Sequence, residues 1–194
     1  MPGGALAVPR GDEIVPLVNR LGTRYANVVL TQDWHPPDHI SFASDHRARQ
    51  PFETIRLPYG DQVLWPPHCV QATHGAALHA GLAITHAQLV IRKGHHREID
   101  SYSAFLEADR KTTTGLAGYL RERGLDDLYV CGLATDFCVA WTALDGRAAG
   151  FAVTVIEDAC RAIDLQGSCA KAWDDMTRAG VRKMGSDQLL RTAG

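Results

Sequence analysis

Short apolar runs rich in β-branched residues alternate along this chain with longer stretches of helical spacing, and that alternation restricts the fold more than any other feature. Residues 27–30, 88–91, 127–130 and 152–156 are apolar runs flanked by polar or turn residues, the pattern of parallel strands buried on both faces. Residues 13–25, 113–123, 137–149 and 168–179 carry helical spacing, and Asp, Thr, Ser or Gly opens or closes the first, second and fourth. Such alternation packs as helices on both faces of a parallel sheet. The predicted fold class is therefore α/β, three layers (α/β/α) around a mostly parallel, doubly wound sheet.

Size and charge narrow the partners. A chain of 194 residues with 45% hydrophobic content supports one domain, taken as residues 1–194, with a substantial core. The formal charge of -2, with Lys and Arg scattered, offers no basic stripe for nucleic acid. The first thirty residues hold neither a signal-like segment nor a membrane-length apolar run, so the reading is a cytoplasmic protein without a membrane partner, with room for a homo-oligomer. The five cysteines form no CxxC pair and, being odd in number, cannot all pair within the chain, which fits a reducing compartment.

Two segments break the rhythm: 34–67, rich in Pro, His and Asp, and the polar 94–103. Structureless stretches of that length in a compact domain are commonly functional. In parallel sheets the binding crevice lies beyond the carboxyl ends of the strands. There the first strand runs into Asp33-Trp34-His35, the second into Lys93-Gly94, and the third into a turn that leads to Cys138. A thiol in the first turn of a helix meets unpaired N–H groups and the positive dipole end, which favour a thiolate nucleophile; the same pattern also fits a small buried hydrophobe. Lys93 fits a partner for that thiol or a solvated charge ending a strand. Asp33 and His35, separated by one residue in extended chain, point the same way and can share a metal. His68, stiffened by Pro66 and Pro67, completes an Asp-His-His set with open positions for water or substrate. His39 and His46 are spare ligands in the same segment, whereas His74, His79, His95 and His96 are expected to face solvent.

Beyond these single signals, an ordered series of motifs spans nearly the whole chain. It runs from Pro2-Gly3-Gly4 through Thr31-Gln32-Asp33-Trp34-His35-Pro36, Trp65-Pro66-Pro67-His68-Cys69-Val70 and Lys93-Gly94. It continues with Asp100-Ser101-Tyr102-Ser103-Ala104-Phe105 and Gly132-Leu133-Ala134-Thr135-Asp136-Phe137-Cys138-Val139. In these motifs the chain resembles the nicotinamidase and pyrazinamidase branch of the isochorismatase-like cysteine hydrolases. The resemblance implies the isochorismatase-like fold, Cys138 as nucleophile with Lys93 as its catalytic partner, and Asp33, His35 and His68 holding one divalent transition metal (Zn, Fe or Mn). It implies a cis peptide between Leu133 and Ala134, with the N–H groups of Ala134 and Cys138 forming an oxyanion hole. Trp65, Tyr102 and Leu133 would bind the ring, Trp65 and Tyr102 sandwiching it or closing over it. The implied activity is deamidation of nicotinamide, or analogues such as pyrazinamide, to the acid and ammonia through a thioester, in NAD salvage.

The same family places a further strand, ending in a general-base Asp, ahead of the Pro-Gly-Gly segment. That central strand is expected to be missing here, with Met1 read as internal to a longer frame and Asp136 read as a helix cap rather than a substitute base. Two rivals stay open: a metal-free relative acting on carbamoyl or ureido substrates, and a ring-binding protein impaired in catalysis.

Overall fold

A computed structural model describes residues 1–191. In chain order the strands are β1 (Val29–Asp33), β2 (Thr54–Leu57), β3 (Gly60–Val63), β4 (Leu89–Lys93), β5 (Asp127–Leu133), β6 (Ala152–Arg161) and β7 (Arg182–Met184). The α-helices are α1 (Val15–Gly22), α2 (Leu116–Glu122), α3 (Ala140–Ala148), α4 (Ser168–Arg178) and α5 (Ser186–Leu190). Parallel pairing joins β1 to β4, and β5 to β6 to β7, as the apolar runs require. All the predicted strands and helices are present, mostly with ends shifted by a few residues; β6 runs five residues further.

The hairpin β2–β3 and the short β7 and α5 were not expected. Segment 34–67 read as a loop because of its Pro, His and Asp content, yet Thr54–Leu57 alternates exposed with half-buried residues, and Pro58-Tyr59-Gly60 makes its turn. Gly60, at φ 136, begins the returning strand, where a side chain would be strained.

The core lies where helices cover the sheets. Phe105, Val139, Val153, Val155 and Met176 are buried in one cluster, each contributing about 1.5–3 kcal/mol by leaving water. In α4, Ala172 and Met176 are the buried residues, four apart on one face, while Lys171, Asp174 and Arg178 point outward. α1 starts with Pro16 in its first turn, where the missing N–H would have no helical partner.

No ladder joins the β1–β4 pair to the β5–β6–β7 sheet among the described residues. A cavity of about 600 Å³ lies between them, lined by Val29, Leu30, Leu128 and Val130 and reaching Cys138. No described helix is long and apolar enough to cross a membrane.

Candidate active site

Strand pairing builds the first half of the site. In the parallel register of β1 and β4, Asp33 lies opposite Lys93, so both side chains arise at the carboxyl end of one pair. The chain stays extended beyond Asp33, and His35 forms a parallel bridge with Val70. This bridge sets the 66–70 segment alongside, with the His35 and His68 ring centroids 4.9 Å apart. Donor atoms of Asp33, His35 and His68 all lie within 4.8 Å of one another.

Each imidazole is already oriented. His35 Nδ1 lies 2.8 Å from the Gly94 carbonyl and His68 Nδ1 2.9 Å from the Pro66 carbonyl. A carbonyl can only accept, so both Nδ1 atoms donate and the Nε2 atoms are left as the ones able to ligate, the orientation of metal-ligating histidines. Gly94 sits at φ 63, and a Cβ there would lie 2.6 Å from His35 Nδ1. Oδ1 of Asp33 is buried and makes its one described contact with the Lys93 ammonium, leaving acceptor capacity towards the two imidazoles. Two free imidazole nitrogens beside a carboxylate fit a divalent transition metal.

The second half comes from the other sheet. Between Val130 and Gly132 the β5–β6 register shifts, and Gly132, at φ 125, lets the strand bend without a side-chain clash. The Leu133–Ala134 peptide is cis, as the motifs implied. A π-helical turn, Thr135–Val139, then carries Cys138 into α3.

Lys93 joins the halves. Its Nζ meets Asp33 Oδ1 at 2.5 Å, the Ser101 carbonyl at 2.8 Å and Cys138 Sγ at 3.3 Å. Lys93 is 3% exposed, and although burial opposes its charge, Asp33 and Cys138 more than offset this and keep it an ammonium. Burial also pushes Asp33 upward, but Lys93, His35 and His68 outweigh it and hold the carboxyl at about 2. Burial lowers His35 to about 4 against the pull of Asp33 and Asp100, so its imidazole is neutral near pH 7.

The thiol differs from expectation. Burial raises Cys138 to about 11 despite Lys93, as high as Cys131 inside β5. Desolvation outweighs the lowering by the Lys93 ammonium, which lies 3.3 Å from the sulfur. Asp136 differs too: its carboxylate makes no cap for the turn carrying Cys138. It accepts from Ile163 N at 3.0 Å, Asp164 N at 2.8 Å and Ser168 Oγ at 2.5 Å, pinning the loop before α4.

Trp65 and Tyr102 come together near these groups, but as a perpendicular pair with centroids 6.3 Å apart and Trp65 Nε1 donating to Tyr102 Oη at 2.9 Å. Their rings thus stand at right angles, tied to each other by this hydrogen bond. Phe137, which the sequence reading passed over, meets Trp65 edge-on at 4.8 Å and Tyr102 at 5.5 Å. Its position beside Cys138 in the motif was the available signal. Gln62 was also missed: its amide donates to Asp100 at 2.7 Å and to Tyr102 Oη at 3.1 Å, so the unexpected hairpin supports the aromatic pair.

Of the spare histidines, His39 is buried, bonding Ser41 Oγ at 2.7 Å and the Ile99 carbonyl at 3.2 Å, while His46 bonds the Ile40 carbonyl at 2.6 Å. Both are held by loop contacts. His74, His79, His95 and His96 are exposed.

Comparison with known proteins matches these features. The isochorismatase domain family matches residues 2–188. A nicotinamidase of Acinetobacter baylyi is 60% identical over 189 residues, 97% of this chain and 88% of that protein. The structure of an Acinetobacter baumanii nicotinamidase/pyrazinamidase superposes with a TM-score of 0.97 at 60% identity, covering 98% of this chain and 92% of the other. A Pyrococcus horikoshii pyrazinamidase solved in complex with zinc gives a TM-score of 0.76 at 35% identity, covering 95% of this chain and 92% of the other. The chain belongs to the isochorismatase family and, within it, to the nicotinamidase branch.

Proposed function

We propose that the chain works as one domain that hydrolyses the carboxamide of nicotinamide, and of analogues such as pyrazinamide, to the acid and ammonia. The observation that carries this reading is the triple contact of Lys93, which sets Cys138 against the Asp33, His35 and His68 cluster. The names of the similar proteins supply the substrate class. Cys138 is the nucleophile, Lys93 its partner, and Trp65, Tyr102 and Leu133 bind the ring, with Phe137 beside them.

Asp33, His35 and His68 would hold one divalent ion of the zinc, iron or manganese kind, for which zinc in the Pyrococcus horikoshii relative is a precedent. Bound there, the ion supplies a Lewis-acid contact for the ring nitrogen of a pyridine. The protein's own groups do the amide chemistry. As Cys138 Sγ bonds to the carboxamide carbon, the Lys93 ammonium stabilises the anionic sulfur and the N–H groups of Ala134 and Cys138 receive the oxyanion. The C–N bond then breaks, nitrogen leaving as ammonia with the thiol proton, and a thioester remains. Water cleaves the C–S bond to give the acid and restore the thiol. The lack of a basic stripe argues against a nucleic-acid partner, and the reduced cysteines favour a cytoplasmic setting in NAD salvage.

Ammonia release from nicotinamide tests the assignment. Turnover should vanish in Cys138→Ala while ring binding persists by calorimetry. Release of ammonia from a carbamoyl compound but not from nicotinamide, by metal-free protein, would replace this reading with the metal-independent one.

A further inference from the structure

A second set of metal-type donors lies at the surface, sharing no residue with the active site. His95 and His96 follow the bend at Gly94, and Glu107 begins the turn closed by the Leu106–Thr113 bridge. Consecutive residues of extended chain point to opposite sides, yet these two imidazoles stack with centroids 4.1 Å apart. Both rings are exposed, whereas Glu107 is 2% exposed. Its carboxylate oxygens receive His96 Nδ1 at 2.9 and 2.8 Å, and donor atoms of all three residues lie within 4.8 Å of one another.

The charge balance is the telling part. A buried carboxylate is costly unless it is neutralised. Among the described residues no Lys or Arg pairs with Glu107; only His96 does. An imidazole offers at most one positive charge, while a divalent cation offers two and takes both imidazoles as ligands. Backbone bonds fix Glu107, its N–H donating to the Thr112 carbonyl at 2.9 Å and its carbonyl accepting from Arg110 at 3.0 Å. The carboxylate is thus held in place under two adjustable imidazoles that face solvent.

We propose that His95, His96 and Glu107 form a second divalent-metal site, peripheral to the active site and suited to ions of the zinc, cobalt or nickel class. Two imidazole nitrogens and one carboxylate oxygen match the donor preference of those ions, and the exposed side leaves positions for water. Occupancy would brace residues 94–103 against the 106–113 turn. That segment supplies the Gly94 carbonyl to His35 and the Ser101 carbonyl to Lys93, so a peripheral ion would steady two supports of the active site.

The test is cobalt(II) binding to the full chain after chelator treatment, followed by equilibrium dialysis and elemental analysis. Wild-type protein should bind one ion more than His95→Ala or His96→Gln, and His68→Ala should lose a different ion while keeping this one. Visible absorption should show the two cobalt spectra disappearing separately in the two kinds of variant. Glu107→Gln should weaken the peripheral ion at least ~10-fold, with folding of each variant checked by melting without metal. The proposal is overturned if His95→Ala and His96→Gln bind as much cobalt as wild type, which would leave an ordinary His96–Glu107 ion pair. If His68→Ala binds as many ions as wild type while His95→Ala and His96→Gln each lose one, the peripheral site stands and the metal reading of the active site falls.

Discussion

Asp33 and Lys93 face each other as register partners at the carboxyl ends of β1 and β4, and their charged groups meet at 2.5 Å. Sheet pairing thereby sets the spacing between a metal-type donor and the ammonium beside Cys138. Lys93→Ala leaves the Asp33 carboxylate without its main counter-charge and Cys138 without its ammonium. Stability should fall by about 3–5 kcal/mol in urea unfolding, the usual result of removing one partner of a buried pair. kcat should drop about 10²–10⁴-fold, with a smaller change in KM if Trp65, Tyr102 and Leu133 bind the ring as proposed. Retention of kcat within a factor of a few would remove Lys93 from the chemistry.

Gly94→Ala should act on metal content before it acts on stability. The new Cβ would press on the His35 ring, and the backbone at φ 63 suits glycine. Displacing His35 should weaken metal binding at least ~10-fold, measured by competition with a chelating dye. Normal affinity in this variant would mean that His35 is not held by the Gly94 carbonyl as described.

Acid should destabilise the metal-free protein in two stages. His35 falls from an ordinary 6.5 to about 4 because burial disfavours its cation, so the unfolded chain binds the extra proton first. Stability should decline as pH falls from about 6.5 to 4, by up to about 3 kcal/mol. Asp33, held at about 2 against an ordinary 3.8, contributes stability that is complete above about pH 4 and lost towards pH 2, about 2 kcal/mol more. Urea unfolding at stepped pH measures both, and His35→Gln should flatten the upper stage. Parallel curves for wild type and His35→Gln would show that other groups control that stage.

Tyr102→Phe removes the oxygen that receives Trp65 Nε1 and the Gln62 amide. A buried donor left without a partner costs about 1–3 kcal/mol, and the aromatic pair loses its fixed angle. KM for nicotinamide should rise about 5–100-fold while alkylation of Cys138 is unchanged. An unaltered KM would show that the ring docks elsewhere.

Asp33, His35, Lys93 and Cys138 were legible in the sequence because each follows an apolar run, and strand ends in parallel sheets converge on a crevice. His68 stood out through its two prolines. The hairpin was hidden because Pro, Gly and Asp usually signal loops, and a two-stranded unit depends on contacts such as Gln62 to Asp100, 38 residues away. Spacing placed Cys138 at the start of a helix but could not show how deeply the thiol is buried, which raises it despite Lys93. Asp136 read as a local cap, whereas it binds residues 163, 164 and 168, partners visible only after folding.

Lys93 ends β4 and Cys138 follows β5, and no ladder links those strands among the described residues. Their 3.3 Å contact therefore spans two sheets that share no ladder and that a cavity separates further back. A slip of about 1 Å between those sheets would separate sulfur from ammonium while leaving both ladders whole, and a misplacement of that size can cost ~10²-fold in rate. Catalysis should then fade at lower urea than circular dichroism does, making turnover a strain gauge for the alignment of the two half-sheets.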